Sequence, residues 1–69
     1  MDFRASMLAA LDRHCAATGL KPSTVATKAV NDGKFFERVR EGGGFNIRTY
    51  ERVMEWFREN APPSTGAAA

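Results

Sequence analysis

Glycine and proline positions divide this chain into short segments, and those interruptions constrain its fold more than any other feature. Gly19 and Pro22 follow a first segment, Gly33 lies in a turn after a second, and three glycines at 42–44 follow a third. Apolar residues recur at helical spacing within the segments, whereas no strand-like alternation, internal repeat or heptad run occurs. The sequence therefore predicts an all-α fold, a compact bundle of four to five short helices.

Residues suited to helix ends indicate where these helices begin and stop. Asp2 is a candidate N-cap for the first helix, and Gly19 follows its C-terminus. Ser23 is a candidate N-cap for the second helix, and either Asn46 or Thr49 can cap the fourth. The predicted helices span about residues 3–18, 24–30, 34–41 and 49–59.

Most of the predicted helices carry a stripe of apolar residues that would face a shared core. In the first helix the stripe is Phe3, Met7, Ala10, Leu11 and Cys15. In the second it is Val25, Ala26, Ala29 and Val30, and in the fourth it is Ile47, Tyr50, either Val53 or Met54, and Phe57. With 69 residues the chain lies near the lower limit for a self-sufficient core, so we expect no large catalytic pocket.

Several classes of protein are disfavoured by the residues present. One cysteine excludes an intrachain disulfide, and one cysteine with one histidine cannot supply a zinc site. His14 and Cys15 are adjacent and therefore lie on different faces of a helix, which argues against a nucleophile and its base. Without paired carboxylates or a phosphate-cradling motif, we expect no enzyme, no metal and no cofactor.

The hydropathy and the ends of the chain predict a cytoplasmic domain with a short tail. No apolar run approaches the roughly 20 residues needed to cross a bilayer, and the first residues contain an early acid and no cationic leader. From Ala61 the sequence is rich in proline and alanine and cannot continue a helix past its prolines. We expect a folded domain over residues 1–60 and a flexible tail over residues 61–69.

Positive charge is concentrated in the middle of the chain. Between Lys21 and Arg48 there are six basic and three acidic residues, a balance of +3, while the rest of the chain has four basic and five acidic residues, a balance of −1. An anionic partner would therefore dock on the middle segment, although solvated helix faces also carry such charge.

The second and third predicted helices, joined by the turn Asn31-Asp32-Gly33, have the pattern of a helix-turn-helix, whose second helix can lie in the DNA major groove. That unit requires a small residue where the helices cross, a turn residue that accepts positive φ, and an apolar residue that fixes the second helix to the core. Ala29, Gly33 and Val39 fill these roles at spacings of four and six. An ordinary helical hairpin can give the same pattern.

The segments PSTVATKAVNDGKFFERVREG and RTYERVMEWF resemble the lambda-repressor-like helix-turn-helix family, which includes the small phage Cro and repressor domains. The resemblance covers about residues 3–58. It rests on the turn after Val30, the pair Phe36 and Val39 shortly before a glycine, and a following helix led by Thr49. It implies a sequence-specific regulator of transcription in bacteria or phage that binds double-stranded DNA, usually as a homodimer, and is associated with the nucleoid when bound.

Two sets of DNA contacts are predicted: base contacts, carried over from the resemblance residue by residue, and phosphate contacts from the start of the second helix and the polar and basic residues around the third. The groove-facing side of the third helix would contact bases through Lys34, Phe35, Glu37, Arg38 and Glu41. Phosphates would be contacted by Lys21, Ser23, Thr24, Lys28, Arg40, Asn46 and Arg48. Arg38 is the best candidate for guanine, because its two-pronged guanidinium matches the two acceptors on that base edge.

Most of these residues have a structural alternative: the polar residues at the start of the second helix can serve only as caps, and each predicted phosphate-binding cation can be a solubilising surface charge. Phe35 either touches a thymine methyl or packs in the core beside Phe36. Glu37 and Glu41 either accept hydrogen bonds from cytosine or form surface ion pairs with the basic residues of the same helix.

The fifth helix that often forms the dimer interface of the family is absent, so we predict a homodimer through Met54, Trp56 and Phe57. Trp56 either anchors that surface or closes the core against Phe3. The alternative function for the chain is a protein–protein interaction module, such as an adaptor or antitoxin-like partner, with Phe35 and Trp56 as its anchors.

Overall fold

The computed structural model describes residues 2–61 and contains four α-helices in this range. They are α1 (Phe3–Thr18), α2 (Pro22–Val30), α3 (Phe35–Arg40) and α4 (Ile47–Glu59). No strand occurs among these residues, so the predicted all-α bundle is confirmed. None of the helices in this range has the length and apolar character needed to cross a membrane. Apart from Ala61, the predicted tail lies outside the described residues.

Both ends of α1 lie where its capping residues predict. The Asp2 carboxylate accepts a hydrogen bond from the backbone N–H of Ala5 at 3.2 Å. Gly19 adopts a left-handed conformation, with φ 78°, and its N–H donates to the carbonyl of Cys15 at 2.8 Å. Glycine reaches positive φ without the steric cost of a Cβ, so the helix ends there. Local sequence alone sets the limits of this helix.

α2 begins earlier than predicted, at Pro22 rather than at Thr24. Proline lacks an N–H that the first turn would leave unbonded, and its fixed φ suits a helix start, so Pro22 initiates the helix instead of breaking the chain. Lys21 precedes the helix, and its side chain makes no capping hydrogen bond. Ser23, predicted to be the N-cap, lies inside the first turn, where its carbonyl accepts from the Thr27 hydroxyl at 3.0 Å.

The turn between α2 and α3 takes its left-handed residue from asparagine rather than glycine. Asn31 has φ 58°, and its N–H donates to the carbonyl of Thr27 at 2.9 Å, which ends α2. Asparagine tolerates this conformation better than most residues with a Cβ. Gly33, predicted to supply the positive φ, does not adopt one. It lies close to α2 instead, because a Cβ there would be 3.1 Å from the Thr27 hydroxyl oxygen.

Glycines close α3 at its C-terminus. Gly42 has φ 99° and donates to the carbonyl of Val39 at 3.1 Å, and Gly43 donates to the carbonyl of Arg38 at 2.7 Å. These two hydrogen bonds form a Schellman motif, which satisfies carbonyls that have no partner within the helix. The motif places Glu41, predicted to be helical, in the closing turn.

Arg4 of α1 fixes the same end of α3. Its Nη1 donates to the carbonyl oxygens of Val39 at 2.6 Å and Gly43 at 2.8 Å. Its guanidinium carbon lies 5.6 Å from the centre of the Phe45 ring. Hydrogen bonds from a cation to the last carbonyls of a helix are stronger than those from a neutral donor. α1 therefore holds both α3 and the loop after it.

α4 starts at Ile47 because Asn46 caps it. The Asn46 side-chain oxygen accepts from the Thr49 N–H at 2.8 Å, which decides between the two predicted caps. Ile47 is consequently the first helical residue and is 52% exposed, so the prediction that it faces the core is wrong. Val53, rather than Met54, is the fully buried residue of the stripe.

All four helices contribute to one core, composed of Met7, Ala10, Leu11, Val25, Ala26, Phe35, Phe36, Val39, Val53 and Phe57. Phe3, predicted to lie at the start of the α1 stripe, is 41% exposed and packs on Tyr50 with ring centroids 4.8 Å apart. Cys15 is only half-buried. His14 is the buried residue at that turn, and its ring lies 5.1 Å from that of Trp56.

Candidate nucleic-acid interface

α3 has a buried side and an exposed side. Phe35, Phe36 and Val39 face the core, with 6%, 1% and 1% of their surface exposed. Five polar residues within the helix or directly beside it are exposed: Arg40 and the four predicted base contacts Lys34, Glu37, Arg38 and Glu41. The helix therefore rests on three apolar side chains and presents charged groups outward, and these four are among the five residues predicted to contact bases.

Phe35, the fifth, is not available to a base. Its ring packs against Phe36 with centroids 5.1 Å apart, and both rings belong to the core. A helix of six residues needs such apolar area to stay docked, because burial of an aromatic side chain is a large part of its stabilisation. The prediction that Phe35 contacts a base is wrong, and its structural alternative, a second core aromatic, is confirmed.

Arg38 is held on the exposed side by Asp32, which lies in the turn before α3. One Asp32 carboxylate oxygen accepts from the Lys34 backbone N–H at 3.1 Å, and the other accepts from Arg38 Nη2. The hydrogen bond from Arg38, followed by that from Lys34, lowers the pKa of Asp32, and the same pairing raises the pKa of Arg38. Neither Glu37 nor Glu41 forms an ion pair among the described residues.

Arg40 ties α3 to α1. Its Nη2 lies 2.6 Å from a carboxylate oxygen of Asp12. Both side chains remain about half exposed, so the pair alone contributes little stability, but it fixes the direction of a cation that is predicted to contact phosphate. Nearby, partial burial and then Asp12 raise the pKa of the Cys15 thiol, opposed by Arg40. That thiol is therefore protonated at neutral pH.

Two depressions border α3, one on each side. The loop-side depression lies between α3 and the start of α4 and is lined by Val30, Asp32, Phe35, Arg38, Gly44, Phe45, Asn46, Thr49 and Arg52. The α2-side depression lies between α3 and the start of α2 and is lined by Pro22, Ser23, Gly33, Phe36, Glu37 and Arg40. Each contains at least one arginine and at least one uncharged hydrogen-bonding side chain.

The structure brings part of the predicted phosphate-contacting set beside α3. Ser23 and Arg40 line the α2-side depression, and Asn46 lines the loop-side depression. Lys28 and Arg48 instead line a groove between α2 and α4, together with Arg52, Trp56 and the acids Glu51, Glu55 and Glu59. Three carboxylates there weaken the attraction for an anion.

Two further residues of the predicted phosphate-contacting set lie at the start of α2. Lys21 is exposed in front of the helix, and Thr24 is half-buried inside its first turn. Neither lines a depression beside α3.

The predicted dimer surface is largely covered by the chain itself. Phe57 is 8% exposed and belongs to the core, so it is not available to a second copy. Trp56 and Met54 are half-buried. Trp56 does not close the core against Phe3. It packs edge-on against His14 instead.

Three residues near α3 are not among the DNA contacts predicted from the sequence: Arg4, Asp32 and Arg52. Asp32 stands two residues before Lys34, a spacing at which aspartate often accepts from the backbone, so this signal was present. Arg52 follows Thr49 by three residues and therefore shares its helix face. No sequence pattern indicates Arg4, because the carbonyls it binds lie 35 and 39 residues away.

Within residues 2–61, no three His, Cys, Asp or Glu side chains gather where they could hold a metal ion. No protein-family model, curated protein or solved structure matches this chain. What the protein binds has therefore to be inferred from its own residues.

Proposed function

We propose that this chain is a lambda-repressor-like helix-turn-helix protein that binds double-stranded DNA sequence-specifically and regulates transcription in a bacterium or phage. The observation that carries the proposal is the division of α3 into a buried apolar side and an exposed charged side, bordered by two arginine-containing depressions. The exposed side would enter the major groove, which is about 12 Å wide and admits an α-helix. With six residues, α3 is about 9 Å long and fits across that groove.

The exposed side chains of α3 suit base edges. Arg38 would donate two hydrogen bonds to a guanine, and Lys34 would donate to a base or a phosphate. Glu37 and Glu41 would accept from cytosine, since neither is engaged in an ion pair among the described residues. Phe35 has no part in this contact, because it is buried.

The two depressions suit the two phosphate backbones that border a major groove. On the loop side, Arg52 would bind one backbone together with the Asn46 side chain. On the α2 side, Arg40 and Ser23 would bind the other. A helix that lies in the groove places both of its flanks near phosphate, so cations on both sides fit a DNA-reading helix.

Two copies would act together on one site. A specific protein–DNA interface buries of order 1,000 Å² or more of protein surface. The accessible surface of this chain is 4495 Å², so a single copy would have to bury more than a fifth of it on one ligand. Binding to two half-sites provides the necessary area with a smaller contact from each copy. The spacing between half-sites would report the arrangement of the copies.

The alternative, a protein–protein interaction module anchored by Phe35 and Trp56, has lost one of its two anchors. Phe35 is 6% exposed and cannot insert into a partner without leaving the core. Trp56 is half-buried against His14. No observation on the described residues favours this alternative over DNA.

The proposal is tested by selecting bound sequences from a pool of random duplexes and measuring their affinity by fluorescence anisotropy at two salt concentrations. We expect one motif to be enriched, and its affinity to fall steeply with salt, because phosphate contacts release counterions. Arg38→Glu should abolish this binding. Arg58→Glu is the matched control: it changes the charge equally, but Arg58 lies outside both depressions and pairs only weakly with Glu55 at 3.8 Å.

The control separates a specific site from general attraction between a cationic protein and DNA. If the two charge reversals weaken binding equally, the contact is nonspecific and α3 does not read bases. If no duplex is retained even at low salt, the protein does not bind DNA and the proposal is refuted.

A further inference from the structure

The Asp32 carboxylate connects the start of α3 to the residue that is best suited to read guanine. Its Oδ1 accepts from the Lys34 backbone N–H at 3.1 Å, and its Oδ2 accepts from Arg38 Nη2. Lys34 and Arg38 are four residues apart along the chain, so one carboxylate links the start of α3 to the exposed Arg38 side chain. Asp32 is itself anchored, since its carbonyl accepts from the Phe35 N–H at 3.1 Å.

This arrangement leaves most of the Arg38 guanidinium free. A guanidinium carries five N–H donors in a rigid plane, and the described hydrogen bonds of Arg38 engage only Nη2. The remaining donors can therefore face a base while the carboxylate is still bound. A free arginine side chain loses considerable rotamer freedom when it binds, and a side chain already held in one direction loses less.

A carboxylate at this position also has a cost for DNA binding, because it repels phosphates. Asp32 lines the loop-side depression together with Arg38 and the cation Arg52. Arg38 and the Lys34 N–H hold the pKa of Asp32 below its ordinary value, so the carboxylate is ionised at neutral pH. An anion on a DNA-facing surface lowers affinity for every sequence equally unless it improves the reading of one base.

We propose that Asp32 is a positioning residue that fixes the Arg38 guanidinium for one guanine and thereby exchanges general affinity for sequence discrimination. This inference rests on the proposed DNA-binding function and extends it from the residue that reads the base to the residue that orients it. Its signature is a change of opposite sign in two measurable quantities. Removal of the carboxylate weakens discrimination at one base pair and leaves affinity for random duplex equal or higher.

The experiment compares Asp32→Asn with the unaltered chain on the selected duplex, on duplexes altered at each single base pair, and on random duplex. Asparagine keeps an oxygen that can accept from the Lys34 N–H, but its NH₂ group cannot accept from Arg38. We expect the preference for guanine at one position to fall on the order of tenfold, the range of a good bidentate contact. In an Arg38→Ala background the same substitution should have no further effect at that position.

Two further variants keep the result interpretable. Asp32→Ser retains an oxygen for the start of α3 and cannot reach Arg38, so it should reproduce the loss of discrimination if Asp32→Asn fails to fold. Glu59→Gln removes one negative charge from the groove between α2 and α4, outside both depressions; it should change affinity for all duplexes alike and leave discrimination at every position unchanged.

The outcomes for Asp32 and for DNA binding itself are distinct. If the unaltered chain enriches a motif and Asp32→Asn retains full discrimination, the positioning role is refuted and the DNA-binding proposal stands. A uniform loss at all base pairs, or a loss that persists in the Arg38→Ala background, refutes it as well, since Asp32 would then act only on the fold. If the unaltered chain enriches no motif, both proposals are overturned together.

Discussion

Arg4→Met should destabilise the bundle more than any other substitution of a partly exposed charged residue. Methionine keeps a flexible stem of similar length and removes the hydrogen bonds to Val39 and Gly43 and the contact with Phe45. A hydrogen bond from a charged donor contributes about 1.5–3 kcal/mol, and a cation–π contact at a partly exposed site about 0.5–1 kcal/mol. Arg4 is half-exposed and water can replace it at both carbonyls, so we expect a net loss of about 2–3 kcal/mol.

That loss is large for a chain of this size. A stability of about 0.05–0.15 kcal/mol per residue gives about 3–10 kcal/mol for 69 residues. A loss of 2–3 kcal/mol should lower the Tm by on the order of 10 °C. Thermal melts followed by circular dichroism, together with urea unfolding, measure both quantities.

Two comparisons decide whether the hydrogen bonds are the cause. Arg4→Lys keeps the charge but has a single nitrogen in place of the guanidinium fork, so it should lose about half as much. Arg13→Met alters an exposed arginine that has no described hydrogen bond or ion pair, and it should change stability by less than about 0.5 kcal/mol. If Arg4→Met and Arg13→Met melt at the same temperature, α1 does not hold the end of α3 and the reasoning is wrong.

Three further changes test other parts of the structure. Gly43→Ala should lower the free energy of unfolding in urea by about 1–3 kcal/mol, because an added Cβ would lie 2.8 Å from the Arg38 carbonyl oxygen. Gly44→Ala is the control and should not destabilise the protein, because an added Cβ there meets no atom within 4 Å. Phe35→Ala should lower the free energy of unfolding by about 3–5 kcal/mol, since Phe35 is a core residue. Any DNA binding should fall only in proportion to the fraction of molecules unfolded. The folded pKa of Asp32 is depressed, so its stabilising contribution is present above its ordinary pKa and lost as pH falls through the folded value. Below about pH 4, the Tm of Asp32→Asn should therefore decline less steeply with falling pH than the Tm of the unaltered chain. An NMR titration of the Asp32 carboxyl that gave an ordinary pKa would contradict this prediction.

The helical fold is predictable from the sequence because its determinants are local. Asp2 and Gly19 set the ends of α1 through contacts within four residues, and Asn46 does the same at the start of α4. The periodicity that identifies Met7 and Leu11 as core residues also depends only on spacing within one helix. Such features do not require knowledge of the neighbouring elements.

The errors arise where local preference leaves two outcomes open and packing decides between them. Phe35 and Phe36 are adjacent and equally apolar, and only the position of α3 on the bundle shows that both are buried. Gly33 was expected to supply the positive φ, but Asn31 reaches that conformation two residues earlier and ends α2 there. Ile47 is apolar yet exposed, because the cap in front of it fixes the rotation of α4.

The candidate site was predictable only in part for the same reason. Lys34 and Arg38 are on the exposed side of α3, as helical spacing requires. The ion pairs that orient Arg38 and Arg40 join residues 6 and 28 positions apart, and neither follows from a helical repeat. Which cation faces which carboxylate is determined by how the helices meet.

Because α3 has only six residues, the proposed DNA binding depends on the folding of the whole domain. Isolated helices shorter than about 12–15 residues are marginal in water, so α3 exists only while α1 and α2, on which it packs, support it. A partly unfolded chain would therefore lose the exposed charged side of α3 completely and could not bind through it with reduced affinity. If the proposed function is correct, warming or a destabilising substitution would lower the number of molecules that can bind DNA without changing which sequence each one recognises.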